Sequence, residues 1–360
     1  MEKDERMQQV IDWLKHPAEL GEEPAEIEFV KEFTDPEGFN CQIYKFKAAK
    51  DSPWLLAINS DSGVFSEQEE YDAENDVEQA QIMLDYLKQH WRNMALNEEE
   101  KKERAARAKK FAAFVLKKET KFEPDTFLKM YKEDWGEELG DSDDSAPDKE
   151  GINAKIFTAE GGRSVIFGYM DFRIPGNEAE DNAQFNFMWK DAVEVTKTHT
   201  AHEVVSIMGA GDIYEQALLY SRVLITLCRM ENNIGVYANG IVYEPKMVVA
   251  MKKLVEEGEL PIPILVWCGI GREENGISGW TEGMKNFGFD ELEILETQKA
   301  PSDIHNMLLS LVDYCINNDI SFRDGQTVGL SAGVTLEVNK SKGFNVDEDG
   351  ETLKLTIHED

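Results

Sequence analysis

The sequence predicts an α+β protein with two globular parts. Some stretches have apolar residues every three or four positions, as an amphipathic helix does, and others have the short alternating or continuous apolar runs of strands. Tight-turn signals separate several of the strand-like runs; the clearest is Asn239-Gly240, which suits the positive φ values of a type I′ hairpin turn. At 360 residues the chain is long for one hydrophobic core, which favours two domains.

The first predicted domain, residues 1–122, is a small sheet covered by two helices. A short helix at 6–15 is followed by strands at 27–33, 41–46 and 54–58 and by helices at 77–91 and 98–118. Asp35-Pro36-Glu37-Gly38 is the turn between the first two strands. The helical pattern breaks at Phe122-Glu123-Pro124, because the residue before a proline avoids the α region, and we place the domain boundary there.

The second predicted domain, residues 123–360, is larger and mixes strands with helices. Its first half is predicted to contain a helix at 127–135, an acidic loop at 136–151, a hairpin at 152–172, a helix at 178–199, a strand at 202–208 and a helix at 213–230. The Asn239-Gly240 hairpin, a helix from Pro245 to Gly258 and a buried strand at 261–270 follow. The last predicted elements are a glycine-rich loop at 271–288, a strand at 292–295, a helix capped by Ser302 that runs to 317, and further strands. This order suggests two ferredoxin-like halves.

The charge excludes some partners. The chain has 38 Lys and Arg residues against 71 Asp and Glu, and its net charge of -33 repels nucleic acid and anionic lipid. No apolar run approaches the length of a membrane span, and the N-terminus lacks the pattern of a signal peptide. We therefore expect a cytoplasmic protein. Its cysteines, Cys41, Cys228, Cys268 and Cys315, are expected to be reduced core residues, since each lies in an apolar run.

No motif predicts catalysis, a cofactor or a metal site. His199 and His202 could share a zinc ion on a helix, but β-branched residues after His202 place a helix-to-strand junction between them. The glycines at 209 and 211 lack the remaining residues of a phosphate-binding loop, so an ordinary turn capped by Asp212 is favoured. The serines and cysteines lack the context of a nucleophile.

Two classes of function stay open. Trp189, Tyr237, Arg272 and Trp280 lie in or beside loops, and this composition is typical of a partner-binding surface, although such residues more often pack beneath the loops as part of the core. The first hypothesis is accordingly a noncatalytic interaction protein, of adaptor or immunity type, with a basic protein partner. The alternative is an enzyme of unrecognised class with its site near the loop at 271–288.

Residues from about 125 to 331 resemble a bacterial domain-of-unknown-function family, number 4261. The similarity lies in WKDAVEVTKTHTAHEVVSIMG, IGVYANGIVYEP, SGWTEGMKNFGFDELEILE and DGQTVG. The N-terminal part, with HPAELGEEPAEIEFVKEF, YKFKA, PWLLAI and FSEQEEYD, is similar to another uncharacterised family of Gram-positive bacteria. These resemblances imply a bacterial cytoplasmic protein and no reaction or cofactor.

Overall fold

The structure is a computed structural model in which the chain forms two compact units. It describes residues 3–15, 19–36, 38–60, 63–94, 98–141, 152–209, 211–331, 334–346 and 350–359. The first unit comprises Met1–Ala95, Phe322–Asn339 and Leu355–Asp360, and the second comprises Leu96–Ser321 and Lys340–Lys354. This division differs from the boundary placed at residue 122, and independent folding of the two predicted domains stays a prediction.

The first unit contains an antiparallel sheet with a helix on each face. Its elements are α1 (Lys3–Leu14), β1 (Glu26–Thr34), β2 (Asn40–Lys47), β3 (Leu55–Ser60), β4 (Gly63–Glu70) and α2 (Asp76–Met94), and the strand order is β1-β2-β3-β4. Side chains of β2 alternate between the faces: Ile43 packs on the side of α2, and Tyr44 packs on the side of α1. Strand β4 was not predicted, because GVFSEQEE is mostly polar.

A seven-stranded sheet forms the main part of the second unit. The elements up to its last strand are α3 (Glu98–Arg107), β5 (Ala112–Lys117), α4 (Pro124–Trp135), β6 (Gly140–Asp141), β7 (Ile152–Ala159), β8 (Arg163–Met170), α5 (Glu178–Ala183), α6 (Ala192–Thr196), β9 (Ala201–Met208), α7 (Ile213–Cys228), β10 (Asn233–Ala238) and β11 (Ile241–Tyr243). The strand order is β11-β10-β5-β9-β8-β7-β6, and all neighbours are antiparallel.

The centre of this sheet has the ferredoxin-like arrangement. In chain order β5, α4, β8, β9, α7 and β10 form a β-α-β-β-α-β unit whose strands lie in the order fourth, first, third, second. The two helices contact each other, and Trp135 of α4 donates a hydrogen bond to Thr226 of α7 at 3.0 Å. The described strands show one such arrangement, whereas two ferredoxin-like halves were predicted. The α+β class is confirmed.

The remaining elements of the chain are α8 (Pro245–Ala250), α9 (Lys252–Glu256), α10 (Ile262–Leu265), β12 (Trp267–Arg272), β13 (Ile277–Glu282), β14 (Leu292–Thr297), α11 (Pro301–Asn318), β15 (Thr327–Ser331), β16 (Val334–Lys342) and β17 (Glu351–Glu359). Strands β12, β13 and β14 form an antiparallel meander in the second unit, and Leu292 and Glu293 pair in parallel with the first part of β17. Strands β15 and β16 pair antiparallel.

Both predicted hairpins with clear turn residues are confirmed, and five other local predictions were wrong. The helix predicted at 98–118 ends at Arg107, because residues 112–117 pair as β5 at the centre of the sheet. The helix predicted at 178–199 is two short helices separated by a loop. The strand predicted at 261–270 begins only at Trp267, since Pro261 and Pro263 lack the N–H groups of a strand and suit the first turn of α10.

The fourth error concerns the glycine-rich segment 271–288, which was predicted as a loop and contains strand β13. In addition, the N-cap of α11 is Ala300 rather than Ser302. The acidic loop predicted at 136–151 lies, from residue 142 onward, outside the described residues. No helix in the described part of the chain has the length and apolar character needed to cross a bilayer.

Candidate functional site

The loop between α5 and α6 exposes three large apolar side chains. We call residues 184–190 the aromatic loop. Phe185, Phe187 and Met188 are 56%, 54% and 46% exposed, although residues of these types are usually buried. Three exposed apolar side chains within four positions are a common feature of interaction sites, and we call these three residues the patch.

A buried asparagine determines the shape of this loop. Asn186 is 5% exposed, and its side-chain oxygen accepts hydrogen bonds from the backbone N–H groups of Met188 at 3.0 Å and Trp189 at 3.1 Å. Its side-chain N–H donates to the backbone carbonyl of Val242 in β11 at 2.8 Å. Because both ends of the Asn186 amide are occupied inside the protein, the neighbouring side chains at 185, 187 and 188 are directed outward in a defined arrangement.

Apolar contacts support the loop from beneath. Trp189 is 9% exposed and belongs to a buried cluster with Leu116 and Val242. The exposed ring of Phe187 lies against the buried ring of Trp267, with centroids 5.2 Å apart, and edge-on to the ring of His305 at 5.6 Å. Phe187 is therefore anchored against the core of the second unit, which reduces the conformational entropy that this side chain loses on binding.

The β10–β11 hairpin is the platform on which α5 and the aromatic loop rest. The phenol of Tyr237 in β10 donates to Glu178 of α5 at 2.9 Å and accepts from Asn182 at 3.2 Å. Burial, followed by the hydrogen bond to Glu178, raises the pKa of Tyr237, so the phenol remains a donor at neutral pH. The hairpin turn is left-handed at both Asn239 (φ 50°) and Gly240 (φ 64°), as a type I′ turn requires.

The carboxyl group of Glu282 in β13 lies against the tip of this hairpin. The Glu282 carboxyl group fills the space that a Cβ atom at Gly240 would occupy, and the positive φ of Gly240 separately disfavours a side chain there. Among the described residues, no hydrogen bond or ion pair involves this carboxyl group. Burial and the nearby carboxylate of Glu291 raise the pKa of Glu282 to about 7, against a smaller opposite effect of Lys109.

The four residues predicted to bind a partner lie in two separate places. Trp189 and Tyr237 pack in the same cluster beneath the aromatic loop, with Trp189 buried. Arg272 is exposed at the end of β12, and Trp280 lies on β13 with its ring over Gly269 and Gly271 of the neighbouring strand. Partner binding by these four residues stays a prediction.

The sequence reasoning missed Phe185, Asn186, Phe187 and Met188. Phe185, Met188 and Trp189 have the spacing of one face of a helix, which is compatible with the continuous helix predicted at 178–199. The signal against it was Asn186, since asparagine side chains compete with the helix for backbone N–H groups.

Both histidines of the sequence motif are buried and bonded to the backbone. The Nδ1 atom of His199 lies 2.6 Å from the Thr196 carbonyl oxygen, and its Nε2 accepts the N–H of Ile174 at 3.0 Å. In His202 the Nδ1 atom lies 2.7 Å from the Phe172 carbonyl oxygen, and burial lowers the pKa of the ring. His199 therefore has no lone pair left for a metal in this arrangement. Among the residues that the structure describes, no three His, Cys, Asp or Glu side chains are grouped to hold an ion.

A cleft of about 560 Å³ lies at one end of the seven-stranded sheet, away from the segment 271–288. Its lining combines three cations with three carboxylates: Lys118, Lys121, Arg229, Glu119, Glu123 and Glu231, beside Thr126, Met130, Met230 and Asn232. Two of the cations are already paired, Lys121 with Glu123 at 2.5 Å and Arg229 with Asp134. This lining indicates no single class of ligand.

Two buried carboxylates hold together the region around β14. Glu291 accepts hydrogen bonds from the Thr281 hydroxyl at 2.8 Å and from backbone N–H groups of residues 283 to 285. Glu293 accepts from Thr352, Lys354 and the backbone of residues 344 and 345. Both groups are fully satisfied acceptors, so their roles here are structural.

The comparison with known families supports one predicted resemblance. Residues 280–356 match the family described as "Domain of unknown function (DUF4261)", a segment that includes Glu291 and Glu293. The resemblance had been placed at about 125–331, so the match extends further toward the C-terminus and begins later. The resemblance of the N-terminal part to a second family stays a prediction. Neither a curated protein nor a solved structure matches the chain.

Proposed function

We propose that this protein is a noncatalytic, cytoplasmic interaction protein that binds a basic protein partner through the aromatic loop. The main support is the exposed set Phe185, Phe187 and Met188, held in place by the buried side chain of Asn186. Aromatic and methionine side chains in a preformed arrangement are the residue types that contribute most to protein interfaces.

The charges around the loop favour a basic partner. Exposed carboxylates flank the patch at Glu178, Asp181 and Asp191, against the exposed cation Lys190 in the loop. Glu194 and Lys197 neutralise each other in an ion pair at 2.8 Å. The whole chain has a net charge of -33, so a second copy would be repelled and a basic protein attracted. The partner that fits is a protein with an apolar side chain cluster bordered by Lys or Arg.

The alternative, an enzyme with a site near residues 271–288, has less support. Much of that segment forms β12, β13 and their connection, and Glu291 behind it is saturated with hydrogen bonds. The cleft of about 560 Å³ is lined by other residues.

A defined peptide tests the proposed surface directly. The probe is an acetylated, fluorescently labelled amphipathic peptide of Leu and Lys, compared with the same peptide carrying Glu in place of Lys. We expect the basic peptide to bind the wild-type protein, and the triple variant Phe185→Ser, Phe187→Ser, Met188→Ser to weaken binding by about tenfold or more. The acidic peptide should not bind.

The control variant changes two other exposed apolar residues of the second unit, Met208→Ser and Phe344→Ser. It should bind the basic peptide as the wild type does. Equal affinity of the wild type and the loop variant would contradict the proposed surface. In the native host, a genuine partner should be recovered with the wild type and the control but not with the loop variant, and its purified form should show the same preference.

A further inference from the structure

The hairpin beneath the aromatic loop connects that loop with the carboxyl group of Glu282. On one side, Val242 accepts the hydrogen bond of Asn186, and Tyr237 binds Glu178 and Asn182 of α5. At the tip between these strands, Gly240 lies against the Glu282 carboxyl group. The aromatic loop and the Glu282 carboxyl group therefore both contact the β10–β11 hairpin. The loop and α5 contact its two strands, and the carboxyl group contacts its turn.

The surroundings of Glu282 are suited to its neutral form. No described donor hydrogen-bonds to the carboxyl group, and Trp267 is its direct partner across β12 and β13. The titratable groups that act on it or are affected by it are the carboxylate of Glu291, the ammonium of Lys109 and the phenols of Tyr237 and Tyr243. A negative charge at this position is repelled by Glu291 and is incompletely solvated against the hairpin tip.

We propose that protonation of Glu282 strengthens partner binding by the aromatic loop, and that its ionisation loosens the β10–β11 hairpin and weakens binding. The inference rests on the proposed function and adds regulation by pH to it. Burial and Glu291 place the pKa of Glu282 at about 7, so the change falls in the physiological range. Below this pKa the aromatic loop is more rigid and binds its partner more tightly than above it.

The test measures the affinity of the basic Leu/Lys peptide between about pH 6 and about pH 8, where lysine does not titrate. For the wild type we expect the dissociation constant to rise by about threefold or more over this range. The variant Glu282→Gln, which is permanently neutral, should keep the tighter affinity throughout. The matched control is Glu274→Gln, an exposed carboxylate in the connection between β12 and β13, which should follow the wild-type profile.

Hydrogen exchange supplies a readout that does not depend on binding. At about pH 8 the amides of residues 238–243 should exchange faster in the wild type than in Glu282→Gln, and at about pH 6 the two proteins should agree. Loop-dependent binding with the same pH profile in both proteins would overturn this inference and leave the proposed function standing. Peptide binding that is unaffected by the substitutions in the aromatic loop would overturn both the proposed function and this inference.

Discussion

The ammonium group of Lys117 lies 3.0 Å from the carboxylate of Glu203, and both side chains are buried within the seven-stranded sheet. Lys117 also donates to the side chain of Asn233 at 3.0 Å, and Asn233 donates in turn to the Leu227 carbonyl at 2.7 Å. Burial raises the pKa of Glu203, and the ammonium of Lys117 acts against this rise. The pair joins β5 to β9 and connects both strands to the end of α7.

Removing one member of this pair should be more costly than removing both. Glu203→Gln or Lys117→Met leaves an uncompensated buried charge or donor, and we expect each to lower the free energy of unfolding by about 3–5 kcal/mol. The double variant Lys117→Met, Glu203→Gln should lose clearly less than the sum of the two single variants. Denaturation in urea measures all three, and additive losses would contradict a coupled pair.

Asn186 should control the order of the aromatic loop. We expect Asn186→Ala to lower the free energy of unfolding by about 1–3 kcal/mol, because the N–H groups of Met188 and Trp189 and the carbonyl of Val242 lose their buried partner. Gln184→Ala, an exposed change in the same loop, should cost less than about 0.5 kcal/mol. Thermal unfolding of the two variants checks this, and equal losses would rule out the special role of Asn186.

Position 269 requires glycine because of the neighbouring Trp280 ring, and not because of its backbone conformation. A Cβ atom at Gly269 would collide with the Trp280 ring, which lies across the strand pair. Gly269→Ala should therefore lower the free energy of unfolding by about 1–3 kcal/mol. In a Trp280→Ala background the same change should cost almost nothing. A double-mutant cycle measures this coupling, and a coupling energy near zero would show that the ring does not rest on the glycine.

Glu282 should make the stability of the protein depend on pH. Its pKa of about 7 in the folded protein exceeds the value of 4.5 for a free carboxyl group, so the folded state holds the proton more tightly than the unfolded state. The contribution of this group is complete below about pH 4.5 and is lost as the pH rises through 7, by at most about 3 kcal/mol. Glu282→Gln should remove this part of the pH dependence, whereas Glu274→Gln should preserve it.

The purified protein should contain no stoichiometric transition metal at His199 and His202. Each ring nitrogen Nδ1 lies within hydrogen-bond distance of a backbone carbonyl, and Nε2 of His199 accepts a backbone N–H. Elemental analysis of the protein tests this expectation. A content of about one zinc per chain that is lost in the variant His202→Ala would contradict it and would support the alternative of an enzymatic function.

The sequence predicted correctly those helices, strands and turns that depend on residues close together along the chain. The Asn239-Gly240 hairpin, the helix over α7 and the strand over β9 follow from turn residues and periodicity, and the structure confirms them. By contrast, β5 was predicted as the end of a helix. Its residues become a strand because they pair with β9 and β10, whose positions along the chain lie far beyond any sequence window.

The candidate site shows the same limit. Trp189 and Tyr237 could be selected from composition, and they lie together beneath the aromatic loop. The exposed side chains of that loop could not, because exposure depends on the hydrogen bond from Asn186 to Val242, two residues 56 positions apart. The relation of Glu282 to Gly240 is likewise visible only in three dimensions.

The interleaving of the two compact units has a consequence for the order in which the protein can fold. Residues 1–95 form a unit with segments 322–339 and 355–360, so the contacts between these parts can form only after residues 96–321 have been synthesised. Residues 96–321 emerge earlier and include the whole seven-stranded sheet. The contacts that join segments 322–339 and 355–360 to residues 1–95 are therefore expected to form after the four-stranded and seven-stranded sheets, since the strands of each sheet lie within one continuous part of the chain.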